Sequence, residues 1–263
     1  MEVRLQGEAA MSGHSKWSTI KRQKGVNDAR RGQLFTKLAR ELTVAARQGG
    51  GDPEVNVRLR LAMQKAKDSN MPHDNVDRAI KRGTGVGDGG QEFLEEAVFE
   101  GYGPGGAAIF LEAVTDNPNR TVPEVRKAFS RGGGNLGEPG CVSWNFESMG
   151  VIIVEVSQEQ AEELALLAIE AGAEDFELNG LLLEIRTTPA AFERVRRVLE
   201  EAGGTPERAE LSMMPKTTVA LEAKQAAQTL RLLDQLEELD DVQRVYTNAD
   251  FPDEILEEYK QAV

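Results

Sequence analysis

Apolar positions recur with a helical period from residue 30 to about residue 83, and the period changes beyond residue 90. Between Arg30 and Gln48, Leu34, Phe35, Leu38, Ala39, Leu42, Ala45 and Ala46 share one side of a helical wheel. Arg30, Lys37, Arg40 and Arg47 lie nearly opposite, with Val44 the one apolar intruder among them. Gly49-Gly50-Gly51 ends this helix. Asp52-Pro53 reads as an N-cap and first helical residue of a second helix, with Val55, Leu59, Ala62, Met63 and Ala66 as its buried stripe. A third, short helix begins near Pro72, carries Asp74 in its first turn and Lys81 and Arg82 in its last, and stops at Gly83.

The Gly-rich run 83–90 (GTGVGDGG) reads as a flexible link. No strand precedes it and no Gly-Lys-Ser/Thr follows, which argues against a phosphate-cradling loop. Strand-like runs then flank the turn Gly103-Pro104-Gly105-Gly106, at 96–102 and 107–114. A helix over 121–131 and a strand over 141–146 follow. The stretch 151–214 reads strand, helix, strand, strand, helix, strand, with Asn179-Gly180 as the central hairpin turn. That is the order of a ferredoxin-like plait. A strand (217–221), a helix (223–239) and a strand (242–246) close the chain and complete the sheet begun at residue 96. The expected class is therefore α+β multidomain: an N-terminal three-helix domain followed by two ferredoxin-like α/β domains, one inserted in the other. The expected boundaries are 11–82 for the helical domain and 83–90 for the linker. Residues 91–148 with 216–263 form a discontinuous middle domain, and 149–215 the inserted one.

Charge sharpens this picture. Residues 11–90 hold 16 Lys/Arg against 8 Asp/Glu, and residues 91–263 hold 14 against 34. A chain with a net charge of −13 thus carries a basic head on an acidic body. Fields decay over about 10 Å in physiological salt, so a polyanion approaching the head responds to the head. The segment SGHSKWSTIKRQKGVNDARR (12–31) sets cations around a single aromatic, Trp17. Phosphates call for cations, and unstacked bases offer π-faces to a ring. The candidate nucleic-acid-binding residues are His14, Lys16, Trp17, Lys21, Arg22, Lys24, Arg30, Arg31, Lys37 and Arg40. The bland reading of Trp17 is a ring folded into a core.

Other chemistry finds little support. His14 and His73 are the only histidines, and neither has a Cys or a second His at ligand spacing. One cysteine, Cys141, excludes an intrachain disulfide and fits a reducing compartment. The acidic stretches 237–241 and 253–258 read as solvated faces. No apolar run is long enough to span a bilayer, and the N-terminus has no signal-like apolar region. Residues 1–10 read as an extension ahead of Met11. The expectation is a cytoplasmic, non-enzymatic protein without cofactor, metal, membrane or small-molecule substrate.

Several long motifs, in order, carry a resemblance: Gly13-His14-Ser15-Lys16-Trp17, DARRGQLFTKLARELTVAAR, MPHDNVDRAIKRG, EGYGPGG, EAVTDNPNRT and GGNLGEPGCVSWNF. Together they resemble the YebC/PmpR family, which includes the mitochondrial translational activator of cytochrome c oxidase. The resemblance covers the chain from about Met11 to near its C-terminus. It implies a helical domain followed by two α/β domains, and a regulator rather than an enzyme. It further implies either a DNA-binding transcriptional regulator or a ribosome-associated factor that assists translation of proline-rich sequences. Pro118 stands where a basic residue is expected in the Asn-rich loop, and Cys141 where Ser is usual. Of the two functions, an rRNA-binding translation factor is favoured over a duplex-DNA regulator, because a triple glycine separates the first two helices and a Trp amid lysines suits irregular RNA.

Overall fold

The computed structural model describes Trp17, residues 28–86 and residues 94–261. The chain divides into two compact units, one of residues 19–143 with 219–263 and one of residues 144–218 with 1–18.

The first unit opens with three helices: α1 (Asp28–Gly49), α2 (Val57–Asp68) and α3 (His73–Thr84). Leu38, Leu42 and Ala45 of α1 pack with Leu59, Ala62 and Ala66 of α2 and with Val76 and Ala79 of α3. The apolar stripe of α1 is thus the predicted one. The second helix starts later than the Asp52-Pro53 signal suggests. Asp52 instead closes a turn, its carboxylate accepting from the Glu54 N–H at 2.9 Å and its carbonyl from the Asn56 N–H at 3.0 Å. Asn56 is the cap. Its Oδ1 accepts from the Leu59 N–H at 3.0 Å, and its Nδ2 donates to the Ala45 and Gly50 carbonyls. Capping by a buried Asn that also serves the Ala45 carbonyl of α1 and the Gly50 carbonyl just beyond it outweighs an exposed Asp. Val55 consequently falls in the turn, 77% exposed, not in the buried stripe.

Gly83 is not the stop of α3, which runs on to Thr84 before Gly85 turns left-handed at φ 74°. Gly83 is needed for close approach. A Cβ there would collide with the Thr43 carbonyl of α1. The hairpin β1 (Glu95–Tyr102) and β2 (Ala108–Thr115) follows, then α4 (Pro118–Arg131) and the two-residue strand β3 (Asn135–Leu136). Beyond β3 the predicted strand over 141–146 is absent. Glu100 of β1, 5% exposed, accepts the N–H groups of Gly140, Val142 and Ser143, each at 2.8 Å. Three backbone donors turned onto one carboxylate cannot also serve a strand ladder. Burial pushes the Glu100 carboxyl up, but these donors together hold it below the usual range.

The second unit is the plait read from the sequence. Its elements are β4 (Phe146–Glu155), α5 (Gln158–Glu170), β5 (Ala173–Asn179), β6 (Leu182–Thr187), α6 (Phe192–Glu201) and β7 (Pro206–Pro215). The antiparallel order is β5-β6-β4-β7. Ile152 and Val154 of β4, Leu183 and Ile185 of β6, and Phe192 and Leu199 of α6 are buried. Ser157 caps α5 in a capping box with Gln160.

The chain then returns to the first unit through β8 (Val219–Ala220), α7 (Ala223–Glu237), β9 (Val242–Thr247), β10 (Ala249–Asp250) and α8 (Asp253–Gln261). β9 pairs with β2, giving the antiparallel order β3-β1-β2-β9, and α4 packs on α7. Here the hairpin comes first and the last edge strand arrives only after the inserted unit. The α+β multidomain class therefore holds, with the middle sheet a reconnected version of the plait.

Candidate nucleic-acid interface

The basic segment supplies most of the candidate residues. His14, Lys16, Lys21, Arg22 and Lys24 lie outside the described residues. Arg30 sits in the first turns of α1, and Arg31 beside it is exposed. Trp17 is 1% exposed, the largest of the fully buried side chains. A ring so enclosed offers no face to a base, which favours the core reading of this residue.

Lys37 and Arg40 are brought together, but against the protein itself. The Lys37 ammonium donates to the Glu237 carbonyl at the end of α7. Burial pushes its pKa down to about 8, against the pull of the nearby Asp240 carboxylate. The Arg40 guanidinium donates to the Asp241 carboxylate at 2.6 Å and to the Asp240 carbonyl at 2.9 Å. About two turns further on, Arg47 donates to the Leu94 carbonyl. Between them Val44, fully buried, packs with Leu94 and Val114. The face of α1 read as a phosphate-binding stripe is therefore its docking face on the middle sheet. The Lys37 ammonium and one guanidinium nitrogen of Arg40 thus make contacts within the fold.

Asp241 is the centre of this joint. It is 2% exposed and accepts from Arg40, from Arg120 at 2.7 Å, from Thr121 at 2.5 Å and from Thr115 at 3.2 Å. Burial raises its pKa, and the donors from Thr121, Arg120 and Arg40 more than reverse that, holding it below the usual range. The stretch 237–241 is thus not simply a solvated face. Around this centre Arg244 pairs with Glu41 at 2.8 Å, and Arg58 pairs with Glu96.

Cations remain at the surface elsewhere in the helical part. Arg31, Lys67, Arg78, Lys81 and Arg82 are exposed. The second tryptophan, Trp144, is exposed to 66%. It sits in a short helical turn (Ser143–Asn145) ahead of β4, where the sequence reading placed a strand. Its flanking Ser143 and Asn145, both turn formers, were the available signal. Among the described residues no group of three His, Cys, Asp or Glu is placed to hold a metal ion. None of the described helices is long and apolar enough to cross a membrane.

Comparison with known proteins agrees with this architecture. Residues 15–86 match the model of the TACO1/YebC protein N-terminal domain, and residues 94–249 that of the TACO1/YebC second and third domain. A probable transcriptional regulatory protein of Dehalococcoides mccartyi strain BAV1 is 55% identical over 95% of this chain and 98% of its own length. One from Rubrobacter xylanophilus is 55% identical over 94% of this chain and 99% of its own. The crystal structure of a conserved hypothetical protein from Aquifex aeolicus superposes with a TM-score of 0.77 at 47% identity, covering 86% of this chain and 92% of that one. The helical head, the reconnected middle sheet and the plait inserted within it are those of one family, and this chain belongs to the TACO1/YebC family.

Proposed function

We propose that this protein is a non-enzymatic regulator that binds nucleic acid through its basic N-terminal segment, with structured RNA of the ribosome as the favoured target. The observation that carries the reading is the division of charge, 16 Lys/Arg against 8 Asp/Glu in residues 11–90 and 14 against 34 beyond. With Lys37, Arg40 and Arg47 engaged inside the fold, the phosphate-binding cations are those of segment 12–31: Lys16, Lys21, Arg22, Lys24, Arg30 and Arg31. On this reading the protein assists synthesis of proline-rich sequences, as the family resemblance implies, and no reaction is assigned to it.

A second reading, a duplex-DNA regulator, is supported by the names of the relatives and by one local feature. The four residues 69–72 join α2 to α3, a spacing found in helix-turn-helix readers. Against it, such helices read bases with their N-terminal residues, and here α3 presents Asp74 and Asp77 there. Carboxylates facing a duplex repel phosphate and accept only from cytosine or adenine amino groups.

Co-sedimentation with purified ribosomes at 50 and 500 mM salt tests the first reading. The association should be strong at low salt and fall with a log–log slope of about −0.7 to −0.9 per phosphate contact. Equal recovery at both salts, or none at either, overturns it. Preferential binding of a defined promoter fragment over random duplex of equal length would establish the second.

A further inference from the structure

The one exposed tryptophan is held on a rigid mount. Asn145, 2% exposed, receives the Thr217 N–H at 3.0 Å and the Thr217 hydroxyl at 2.8 Å on its Oδ1. Its Nδ2 donates to the Thr217 carbonyl at 3.0 Å, and its own carbonyl accepts the Lys216 N–H at 2.7 Å. Four hydrogen bonds thus fasten the residue after Trp144 to the end of β7, where Phe146 pairs with Pro215. The mount places the 66%-exposed indole and the exposed Lys216 at the same end of the β4–β7 pair.

Exposing an indole forgoes one of the largest apolar burials a side chain offers. The hydrogen bonds of Asn145 anchor the backbone from which the indole projects. Single exposed leucines need no explanation, but an exposed Trp on an anchored stretch of backbone suits a stacking platform. Along the β4–β7 pair itself the acidic residues of the following helix lie at the other end. Glu155 ends β4 and Glu159, Glu162 and Glu163 follow it, about 30 Å from the start of the ten-residue strand. That separation is several times the screening length at physiological salt. Near Trp144 the charged residues at this end of the β4–β7 pair are Glu147 of β4 and Lys216 just after β7, which balance.

We propose that Trp144 is a base-stacking residue: it receives one unpaired base of a single-stranded nucleic-acid segment, with Lys216 beside the adjoining phosphate. This rests on the nucleic-acid reading above and adds to it a second contact point, outside the basic segment. Stacking on an aromatic is tolerant of base identity, so the platform selects single strands over duplex, in which both faces of each base are already covered.

The chain has only two tryptophans, and the other is buried, so quenching that is lost in a Trp144 variant is assigned to Trp144. The full chain is titrated with a 12-nucleotide mixed-sequence single-stranded RNA, following intrinsic emission and, with a labelled copy of the RNA, anisotropy. Expected are saturable quenching that disappears in Trp144→Leu, and a loss of affinity of about 5- to 100-fold with an unchanged salt slope. Trp144→Tyr should recover most of the affinity. The matched duplex should quench far less. Binding by anisotropy with unaltered Trp144 emission, or a Trp144→Leu affinity within twofold of the parent, overturns the stacking role while leaving the nucleic-acid reading standing. No binding of RNA by any variant overturns both. Quenching by a protein component of the ribosome but not by RNA would reassign Trp144 to a protein contact and also overturn the proposal.

Discussion

Arg40 and Asp241 lie 201 residues apart in the chain and 2.6 Å apart in space. They join the first helix to the turn before β9, and the pair is supported by Arg120, Thr121 and Thr115 around the same carboxylate. Removing Asp241 leaves two guanidinium groups and two hydroxyls without their shared acceptor. Breaking such a buried pair typically costs about 3–5 kcal/mol. Asp241→Ala should therefore lower the melting temperature by many degrees, and Arg40→Ala by less, because Arg120 remains on the carboxylate. A double mutant no worse than Asp241→Ala alone, measured by thermal unfolding, would verify that Arg40 acts through Asp241.

The same carboxylate predicts acid behaviour. Its pKa in the folded protein lies below the ordinary 3.8, so its stabilisation is fully present above that value. It is lost as pH falls through the lower folded value. Asp241→Asn should flatten this part of an acid-unfolding curve relative to the parent.

Lys37 gives a slope of the same sign at alkaline pH, but from a buried charge that costs stability when protonated. Its folded pKa of about 8 lies below the ordinary 10.5, so between these values the unfolded chain holds more protons than the folded one. Stability contributed at this site therefore rises with pH across that window. Lys37→Met should stabilise the protein at pH 7, and the advantage should shrink as pH approaches 10. Parallel unfolding curves at pH 7 and pH 10 measure it.

Replacing Lys21, Arg22 and Lys24 together by Ala should flatten the salt dependence of RNA binding by about 2 to 3 in log–log slope. Thermal unfolding of this variant should match that of the parent, separating a loss of phosphate contacts from a loss of fold. Lys37→Ala should leave the slope unchanged, because its ammonium already serves the Glu237 carbonyl. A slope altered equally by both variants would contradict the division of labour between the segment and α1.

The two tryptophans should separate cleanly in solution. Trp17 is buried and Trp144 exposed, so acrylamide should quench a Trp17→Phe protein strongly and a Trp144→Phe protein weakly. Trp17→Ala should cost about 3–5 kcal/mol of stability, as large core truncations do.

The apolar face of α1 was legible because its period is local: seven residues repeating with the helix determine which side is buried. The role of its opposite face was not, because the groups that claim Lys37 and Arg40 arrive from positions 237–241 after a 75-residue unit folded separately. Val44 was the available clue. One apolar residue in a polar stripe marks a face that meets protein, and it is fully buried with Leu94 and Val114. The start of α2 was misplaced because two capping residues, Asp52 and Asn56, lie within one turn of each other, and only the carbonyls of Ala45 and Gly50 decide between them. The strand expected at 141–146 failed for a similar reason, since Glu100 captures its backbone donors from 40 residues upstream. The plait was read well because its strands, helices and Asn179-Gly180 turn are all specified within one short stretch.

The docked face of α1 bears on how this protein is dissected in the laboratory. Cutting the helical head away from the middle sheet would uncover Val44 and release the partners of Lys37, Arg40 and Arg47, giving the fragment a sticky cationic surface whose donors the intact chain engages. Such a fragment would retain polyanions more avidly, and less selectively, than the protein from which it came. Its affinity would report on an exposed seam; the physiological contact is measured only with the seam closed.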